Sequence, residues 1–246
     1  MKVAAVVVSH LHPHELEQCL PALRPQVDEL VVIANVPGSV PPGVEAVHNE
    51  RPLGYAANVN RGVALTSAEL VVAANPDTVA EPAAVAALRE LMAARPRCGI
   101  AGPRMLFPDG SWQPSRRRFP TVTGTIVRRT PLRLVVPQRR HYHLDEAPPD
   151  GPVEADWMLG GFLMLRRSML EELGGLDEGF RLYGEDIDLA YRAMQAGWER
   201  WYVPAAVVRH EHKAVTDKHW LTRRTLWHWA GVLRFVRKHP ERLRAL

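Results

Sequence analysis

The first hundred residues alternate between short apolar runs and longer amphipathic stretches, and this alternation limits the chain to a small set of folds. Val3–Val8 is a continuous apolar run rich in valine, which is typical of a strand buried on both faces of a sheet. Helical segments separate such runs, so the pattern predicts an α/β protein with a mostly parallel sheet flanked by helices. The predicted strands are Val3–Val8, Glu29–Asn35, Val44–His48, Leu70–Ala74 and Cys98–Gly102, and the predicted helices are Pro13–Arg24, Tyr55–Leu65 and Glu81–Ala94.

In the second part of the chain the alternation is lost and arginine and proline become frequent. Residues 107–112 contain the turn sequence Pro-Asp-Gly and predict a hairpin. We divide the chain into residues 1–103, residues 104–212, which include a long basic loop at 114–150, and a basic, aromatic C-terminal helical extension at 213–246. Two strands or one bent strand are expected at 153–167, short strands at 201–203 and 206–210, and helices at 168–173, 185–195 and 219–239.

Several protein classes are excluded by what the sequence lacks. It has no uninterrupted apolar run of about 18 residues, which a transmembrane helix needs, and its N-terminus reads as a strand rather than a signal peptide. It contains neither a Rossmann dinucleotide fingerprint nor a P-loop, a serine-hydrolase elbow or a cysteine-based zinc pattern. Only Cys19 and Cys98 are present, which argues against a disulfide framework and for the reducing cytoplasm.

Positive charge is concentrated in two segments, although the chain as a whole carries a formal net charge of only +4. Residues 114–143 contain eight arginines and no acid, and they are interpreted either as a clamp for an acceptor diphosphate or as a solvated loop. Residues 217–246 interleave basic and aromatic side chains, which fits either a helix on an anionic membrane surface or a packed helix with its aromatics in the core. No nucleic-acid module is recognisable, so a nucleic-acid partner is not expected.

Polar residues follow the predicted strands at their carboxyl ends, where open α/β sheets bind ligands. Ser9 follows the first strand, Asn35 ends the second, and Asn75-Pro-Asp77 follows a later one. A carboxylate in this last position can hold Mg²⁺ or Mn²⁺ and, through the cation, a diphosphate, although an ordinary Asn-Pro-Asp turn has the same sequence. Residues 54–62 open a helix whose N-terminus can bind an anion or a nucleotide.

A second group of candidate residues lies later in the chain. Glu185, Asp186 and Asp188 fall at the start of a predicted helix, where acids also stabilise the helix dipole. Three acids are more than capping needs, so one of them is a candidate general base, with a purely structural role as the equal alternative. His210 ends a predicted strand and either completes a metal site or has a structural role. Gly160-Gly161 fits a bulge or a close packing contact.

Taken together, these segments resemble inverting glycosyltransferases of family 2, which have the GT-A fold, and bacterial rhamnosyltransferase-like members in particular. The resemblance covers roughly residues 2–212, and it depends on the combination, because any single segment is a weak signal. The matching segments, in chain order, are VVVSH, GYAANVNRG, AANPDT, ADWMLGGFLMLRR, GGLDEGFRLYGEDIDLAYR and VVRHEH.

The resemblance implies a role for each matching residue. Asp77 would end the metal-binding motif, in which Asn75 replaces the first aspartate, and His210 would be a further contact to the metal or the diphosphate. Asp186 would be the base that deprotonates the acceptor hydroxyl, and Glu185 would hold the acceptor or orient the base. The nucleotide pocket would be lined by Ser9, Asn35, Gly54, Asn60 and Asn75, and the donor sugar and acceptor would lie by Asp156, Trp157 and Gly161.

The activity that the resemblance implies is the metal-dependent, inverting transfer of a sugar from a nucleotide-sugar donor, with Mg²⁺ or Mn²⁺ as cofactor. The expected donor is dTDP-rhamnose, and the expected acceptor is a saccharide of the cell envelope, free or linked to a polyprenyl diphosphate at the inner face of the membrane. UDP-GlcNAc, UDP-galactose and a GDP-sugar are alternative donors, because Ala34-Asn35 stands where the family usually has Asp-Asn near the nucleobase. A non-catalytic relative that binds nucleotide sugars is the alternative from another class.

Overall fold

The computed structural model describes residues 1–120, 147–211 and 223–243 of the 246-residue chain. These residues form a central ten-stranded sheet and, beside it, a separate two-stranded ribbon. The strands are β1 (Val3–Ser9), β2 (Glu29–Ala34), β3 (Val47–His48), β4 (Leu70–Ala74), β5 (Thr78–Ala80), β6 (Cys98–Leu106), β7 (Trp112–Gln113), β8 (Arg116–Arg117), β9 (Val153–Glu154), β10 (Trp157–Met158), β11 (Phe162–Arg166) and β12 (Glu199–His210).

The central sheet is mixed, and most of its first half is parallel. Its main path runs in the order β3-β2-β1-β4-β11-β6-β12-β5. Parallel pairs join β1 to β2, β1 to β4 and β6 to β12. The prediction of a mostly parallel sheet is therefore confirmed, with one important addition. β11 lies antiparallel between β4 and β6, so a strand from the second half of the chain completes the middle of the sheet.

The described helices are α1 (Pro13–Leu23), α2 (Tyr55–Ala64), α3 (Ala84–Ala94), α4 (Arg167–Leu173), α5 (Glu185–Gln195) and α6 (Arg223–Lys238). They cover both faces of the sheet, as the alternation predicts. Along β1, Val3 and Val7 pack into the hydrophobic cluster that contains α1 and α3. Val6 and Val8 pack into the opposite cluster, which contains α2, α4 and α5. Burial on both faces explains why this strand is apolar at every position.

Most predicted elements are present, but several ends differ. The strand expected over 44–48 covers only Val47–His48, and the strand expected to end at Gly102 continues to Leu106. The two short strands expected between residues 201 and 210 form one strand, β12, with a register irregularity between Val203 and Val207. Pro204 lies inside this irregularity, and its missing N–H cannot contribute to a regular ladder.

The predicted hairpin is present, whereas the basic segment after it begins as a strand rather than as a loop. β7 returns antiparallel to β6, and Gly110 in the turn has a positive φ of 81°. Arg116–Arg117 forms β8, which pairs with β10. The rest of the predicted basic loop, residues 121–146 with its further arginine pairs, lies outside the described residues.

The C-terminal helix α6 packs against the protein along one side and faces solvent on the other. Phe235 is buried, and its ring meets that of Tyr191 edge to face at 5.8 Å. Trp229 and Leu233 are 41% and 50% exposed. The packed-helix alternative therefore holds for the inner side of α6 only. No helix in the described ranges is long and apolar enough to cross a bilayer.

Candidate active site

Asp77 and His210 are brought together by the pairing of β5 with β12. β5 begins directly after Asp77, and its antiparallel register places Thr78 opposite His210. The carbonyl oxygen of Asp77 accepts a hydrogen bond from the N–H of Glu211 at 2.9 Å, which extends the pairing by one step. As a result, His210 Nε2 lies 3.6 Å from Asp77 Oδ2, although the two residues are far apart in the sequence.

The surroundings of this pair suit metal ligation. Gln113 Oε1 lies 3.0 Å from His210 Nδ1. A carboxamide oxygen only accepts hydrogen bonds, so Nδ1 is the donor in this contact, and Nε2, on the side of Asp77, is the nitrogen left to ligate a cation. Asp77 Oδ1 is buried and has no hydrogen-bond partner among the described residues. An unsatisfied buried carboxylate oxygen is expected where a cation binds.

The number of protein ligands at this edge also indicates the kind of metal site. Within the described residues, no group of three or more His, Cys, Asp or Glu side chains could hold a metal ion. Mg²⁺ commonly binds to one or two protein groups and completes its coordination with water and substrate phosphates. Asp77 and His210 therefore fit a cation shared with a diphosphate, and they do not fit a structural metal site enclosed by protein.

Gly160 and Gly161 separate the candidate metal-ligand side of the site, formed by Asp77 and His210, from an acidic side, formed by Glu185 and Asp186. The carbonyl of Gly161 accepts a hydrogen bond from the N–H of Asn75 at 2.8 Å. A Cβ atom added at Gly161 would lie 3.5 Å from His210 Nε2. The N–H of Gly160 donates to Asp186 Oδ2 at 3.1 Å, and a Cβ there would lie 3.2 Å from the same oxygen. The two glycines thus place no side chain of their own between His210 and Asp186.

Glu185 and Asp186 begin α5, and both carboxyl groups lie in a poorly solvated environment. Glu185 is buried, and its Oε2 has no hydrogen-bond partner within the described chain. Burial raises the pKa of Glu185, and the charge of Asp186 raises it further. Burial also raises the pKa of Asp186, although hydrogen bonds from the N–H groups of Ile187 and Gly160 offset part of the rise. A carboxylate with raised proton affinity is what a general base requires.

Tyr55 lies between the two sides of the site. Its hydroxyl donates a hydrogen bond to the carbonyl of Gly160 at 3.3 Å. Burial raises the pKa of Tyr55, and the charges of Glu185, Asp186 and Asp77 raise it further, so the phenol stays neutral. Because its hydroxyl binds Gly160, which separates the two sides, Tyr55 lies at the boundary between them.

Ser9 and Asn35, at the ends of β1 and β2, hold the loops beside the site. Asn35 Oδ1 accepts hydrogen bonds from the side chain of Asn49 and from the N–H of Leu53, both at 2.8 Å. The hydroxyl of Ser9 donates to the carbonyl of Ser39 at 2.6 Å. Both side chains are therefore engaged within the protein, and their predicted contact with a nucleotide stays a prediction.

Asn60 and Gly54 pack against the segment that leads to Glu185. Asn60 Nδ2 donates to the carbonyl of Leu176 at 2.8 Å, and its Oδ1 accepts from the N–H of the same residue at 2.9 Å. A Cβ at Gly54 would lie 3.1 Å from the carbonyl oxygen of Arg181, so a larger residue would require this backbone to move by a few tenths of an ångström. Both residues thus join α2 to the acidic side of the site. Their role in binding the nucleotide stays a prediction.

Asp156 and Trp157 anchor the beginning of the basic segment. Asp156 Oδ2 accepts a hydrogen bond from the N–H of Phe119 at 2.9 Å, and Trp157 Nε1 donates to the carbonyl of Arg118 at 2.7 Å. The strand that contains Trp157, β10, lies against α5. These contacts place the start of the basic segment beside the helix that carries Asp186.

Sequence reasoning missed Gln113 and Tyr55 and left Asp188 undecided. The hairpin that carries Gln113 was predicted, but only the position of β7 in the sheet brings its side chain to His210. Tyr55 is an ordinary first residue of a helix until the fold places it beside the acids. Asp188 is fully buried and bound to basic side chains, which favours the structural alternative for this acid.

The arrangement of the sheet is that of a GT-A glycosyltransferase fold. The crystal structure of GalNAc-T7 with UDP, GalNAc and Mn²⁺ superimposes with a TM-score of 0.63 over 86% of this chain and 44% of that chain. The two sequences are 16% identical, so the likeness establishes the fold and nothing further.

Residues 70–245 match the model of glycosyl transferase family group 2, and the chain belongs to this family. The N-acetylglucosaminyl-diphospho-decaprenol L-rhamnosyltransferase of Mycobacterium tuberculosis (strain H37Rv) is 35% identical over 192 residues, which are 70% of this chain and 60% of the relative. Rhamnosyltransferase WbbL of Escherichia coli (strain K12) is 32% identical over 82 residues, 33% of this chain and 30% of the relative. The predicted resemblance is thus confirmed, and the chain spans about 60% of the length of the mycobacterial relative.

Proposed function

We propose that this chain transfers a sugar, with inversion at the anomeric carbon, from a nucleotide-diphosphate donor to a hydroxyl group of a saccharide acceptor. The observation that carries the proposal is the placement of Asp77 and His210 on one side of Gly160-Gly161 and of Asp186 on the other. The first side suits a cation-bound diphosphate, and the second suits a proton acceptor. Membership of the glycosyl transferase family supports this reading of the site.

Asp186 is the general base of the proposed reaction. A sugar hydroxyl is a poor nucleophile near neutral pH, so a base must take its proton as the oxygen attacks the anomeric carbon. The bond from that carbon to the diphosphate breaks while the new glycosidic bond forms, and the hydroxyl proton passes to the Asp186 carboxylate. Attack on the face opposite the leaving group inverts the configuration, and no covalent intermediate with the protein is needed.

The neighbours of Asp186 support this role. The N–H of Gly160 holds one carboxylate oxygen at 3.1 Å, which fixes the direction of the base. Burial keeps the Glu185 carboxyl protonated to a higher pH than usual, so this group can donate a hydrogen bond that orients the acceptor or the base. The buried, neutral Tyr55 donates a hydrogen bond to the carbonyl of Gly160 and so helps to hold the residue whose N–H binds Asp186.

Asp77 and His210 would hold Mg²⁺ or Mn²⁺, and Gln113 would keep His210 in the tautomer that can ligate it. When bound, the cation would neutralise the negative charge that develops on the nucleotide-diphosphate leaving group. The GalNAc-T7 structure, which contains UDP and Mn²⁺, supports a cation of this kind in the shared fold.

The donor proposed is dTDP-rhamnose, and the acceptor proposed is N-acetylglucosamine linked to a polyprenyl diphosphate. The mycobacterial relative is named for rhamnosyl transfer to such a lipid-linked sugar, and WbbL is named a rhamnosyltransferase. An acceptor of this kind lies at an anionic membrane surface, which the exposed Trp229 and Leu233 on the basic helix α6 would suit.

A donor panel tests the proposed function. The protein and Mn²⁺ are incubated with dTDP-rhamnose, UDP-GlcNAc, UDP-galactose or a GDP-sugar, together with a short-chain prenyl-diphosphate-linked N-acetylglucosamine, and the product is identified by its mass. We expect transfer from dTDP-rhamnose. Transfer from a different donor would correct the donor and keep the reaction. Nucleotide-sugar binding without transfer from any donor would favour the non-catalytic alternative.

A further inference from the structure

Residues 173–188, called the approach segment below, connect α4 to the first turn of α5 and carry Glu185 and Asp186. Part of this segment has left-handed backbone conformations: φ is 70° at Tyr183 and 100° at Gly184. Glycine adopts such values easily, but tyrosine does so rarely and at an energetic cost. A strained residue next to the acids persists only where the surrounding contacts hold it in place.

The beginning of the approach segment is held by α5 and α2. Arg192 on α5 donates hydrogen bonds to the carbonyls of Leu173 and Gly175, both at 2.9 Å. Asn60 on α2 pairs with the backbone of Leu176 in both directions. These contacts fix the turn that leaves α4, but they do not reach Tyr183.

The C-terminal helix α6 holds the middle and the end of the approach segment. Arg234 Nη2 lies 2.7 Å from Asp177 Oδ1, and Lys238 Nζ lies 2.8 Å from Asp177 Oδ2. These hydrogen bonds hold the pKa of Asp177 below its usual range, even though burial alone would raise it. At Gly231 the helix comes so close that an added Cβ would lie 2.5 Å from the carbonyl oxygen of Tyr183. α6 therefore rests directly on the strained backbone that precedes Glu185.

Asp188 joins the same helix to the first turn of α5. Its side chain is fully buried and accepts a hydrogen bond from Arg192 Nε at 2.7 Å. From α6 and the residue that follows it, Lys238 Nζ and His239 Nε2 each lie 2.9 Å from Asp188 Oδ1. Asp186 lies two residues earlier on the same turn, so these contacts of Asp188 hold the backbone that carries Asp186.

We propose that Asp188, with Lys238 and His239, is a positioning residue for the base: it fixes the first turn of α5 so that the Asp186 carboxylate meets Gly160. The Asp186 side chain has little room to move toward Gly160, because it already lies 3.2 Å from the position that a Gly160 Cβ would take. A buried ion cluster adds little net stability compared with apolar packing, so stability alone does not account for it. The inference rests on the proposed function, because it takes Asp186 to be the base.

Four variants test this positioning role. Asp188→Asn removes the buried charge, Arg234→Gln loosens α6 at a side chain that is 44% exposed, and Lys238→Arg keeps the charge. Asp28→Asn is the control for the same substitution elsewhere in the chain. Asp28 accepts a hydrogen bond from the N–H of Val3, at the first residue of β1. The measurements are kcat, the donor KM, and hydrogen–deuterium exchange of the amides of residues 183–189 and 70–77.

We expect Asp188→Asn to lower kcat at least tenfold and to leave the donor KM within about twofold. Arg234→Gln should lower kcat less, and Lys238→Arg and Asp28→Asn should keep it within twofold. Exchange should accelerate at residues 183–189 in the first two variants and stay unchanged at residues 70–77. Unchanged kcat and unchanged exchange in a folded Asp188→Asn protein would overturn the proposal.

If Asp188→Asn does not fold, a further variant, Lys238→Gln, decides the question by the same two readouts, because it removes a partner of Asp188 and leaves the buried carboxylate in place. The exchange measurement also separates the two proposals from each other. A wild-type protein that transfers no sugar would contradict the proposed function, whereas unchanged exchange at residues 183–189 in Arg234→Gln would contradict the hold of α6 on the approach segment.

Discussion

At the scale of single residues, Asp186 is the proposed general base, and its replacement tests the proposed chemical step most specifically. Asp186→Asn keeps the shape of the side chain and an oxygen for the N–H of Gly160, but an amide cannot take a proton. We expect kcat to fall by about 10²–10⁴-fold, the usual contribution of a general base, with donor affinity nearly unchanged. Steady-state kinetics and donor titration check this, with the exposed Asp150→Asn as control. Equal losses in kcat and donor affinity would contradict the role of base.

Glu185 should make the stability of the protein depend on pH. Burial raises its pKa in the folded state above the unfolded value of 4.5, so the folded state binds the proton more tightly. The stability that this provides is complete below pH 4.5 and declines as pH rises through the raised folded-state pKa. Glu185→Gln should therefore match the wild type in Tm near pH 5 and exceed it by a few degrees at pH 9. Thermal unfolding at both pH values measures this, and a lower Tm for the variant at pH 9 would contradict it.

Gln113 should matter because it sets the tautomer of His210. Gln113→Ala removes the acceptor for Nδ1–H, and loss of such a partner typically weakens metal binding by about 10–100-fold. We therefore expect the Mn²⁺ concentration needed for half-maximal nucleotide binding to rise by the same factor, about 10–100-fold. Gln113→Glu keeps an acceptor and should bind Mn²⁺ nearly as the wild type does. Unchanged Mn²⁺ dependence in Gln113→Ala would show that His210 does not depend on this partner.

At the scale of elements, the contact between α2 and β1 has little room. A Cβ on Gly62 would lie 2.2 Å from Cγ1 of Val6. Replacing glycine by alanine inside a helix usually stabilises by about 0.5–1 kcal/mol, but overpacking a core costs about 1–3 kcal/mol. We therefore expect Gly62→Ala to lower Tm, whereas Gly151→Ala, with nothing within 4 Å, should be close to neutral. A raised Tm for Gly62→Ala would contradict this packing.

The elements that the sequence predicts well are those defined by local signals. α5 begins and ends as expected, at Glu185 and Gln195, because acids mark its first turn and Gly197 follows its end. β11 could be placed as a strand but not within the sheet, because its partners β4 and β6 lie far earlier in the chain. Alternation of apolar and polar residues reports burial, and it carries no information about which strands pair.

The residues of the candidate site also divide into those that a local sequence signal predicts and those that depend on distant pairing. Asp77 and His210 could be proposed because each stands at the end of a strand, and Asp186 because it begins a helix. Gln113 could not, because its importance depends on the register that brings β7 beside His210. Asp188 has the same sequence signal as Asp186, and only its contacts with the distant α6 separate the two acids.

At the scale of the whole molecule, both halves of the chain build the site. The first half contributes Asp77, and the second contributes Gly160-Gly161, Asp186 and His210. The insertion of β11 between β4 and β6 makes one sheet of the two halves and sets the glycines beside Asn75. The metal-ligand side and the acidic side therefore take their relative positions only when the complete sheet has formed.

The C-terminal segment connects the acidic side with the start of the basic segment. Arg242, after α6, lies 5.6 Å from the ring centroids of both Phe119 and Tyr191. Phe119 is bound through its N–H to Asp156, and Tyr191 belongs to α5. Arg242 thus packs against both α5, which carries the proposed base, and the start of the basic segment.

The central claim is that Asp77 and His210 bind the nucleotide diphosphate through a divalent cation, and thermal unfolding with dTDP, UDP and GDP tests it most directly. A ligand that binds only the folded state raises Tm by mass action. With Mn²⁺ we expect one nucleotide, dTDP on the present account, to raise Tm by several degrees. EDTA or Asp77→Ala should abolish that rise. An equal rise in EDTA, or in Asp77→Ala with Mn²⁺, would contradict the claim.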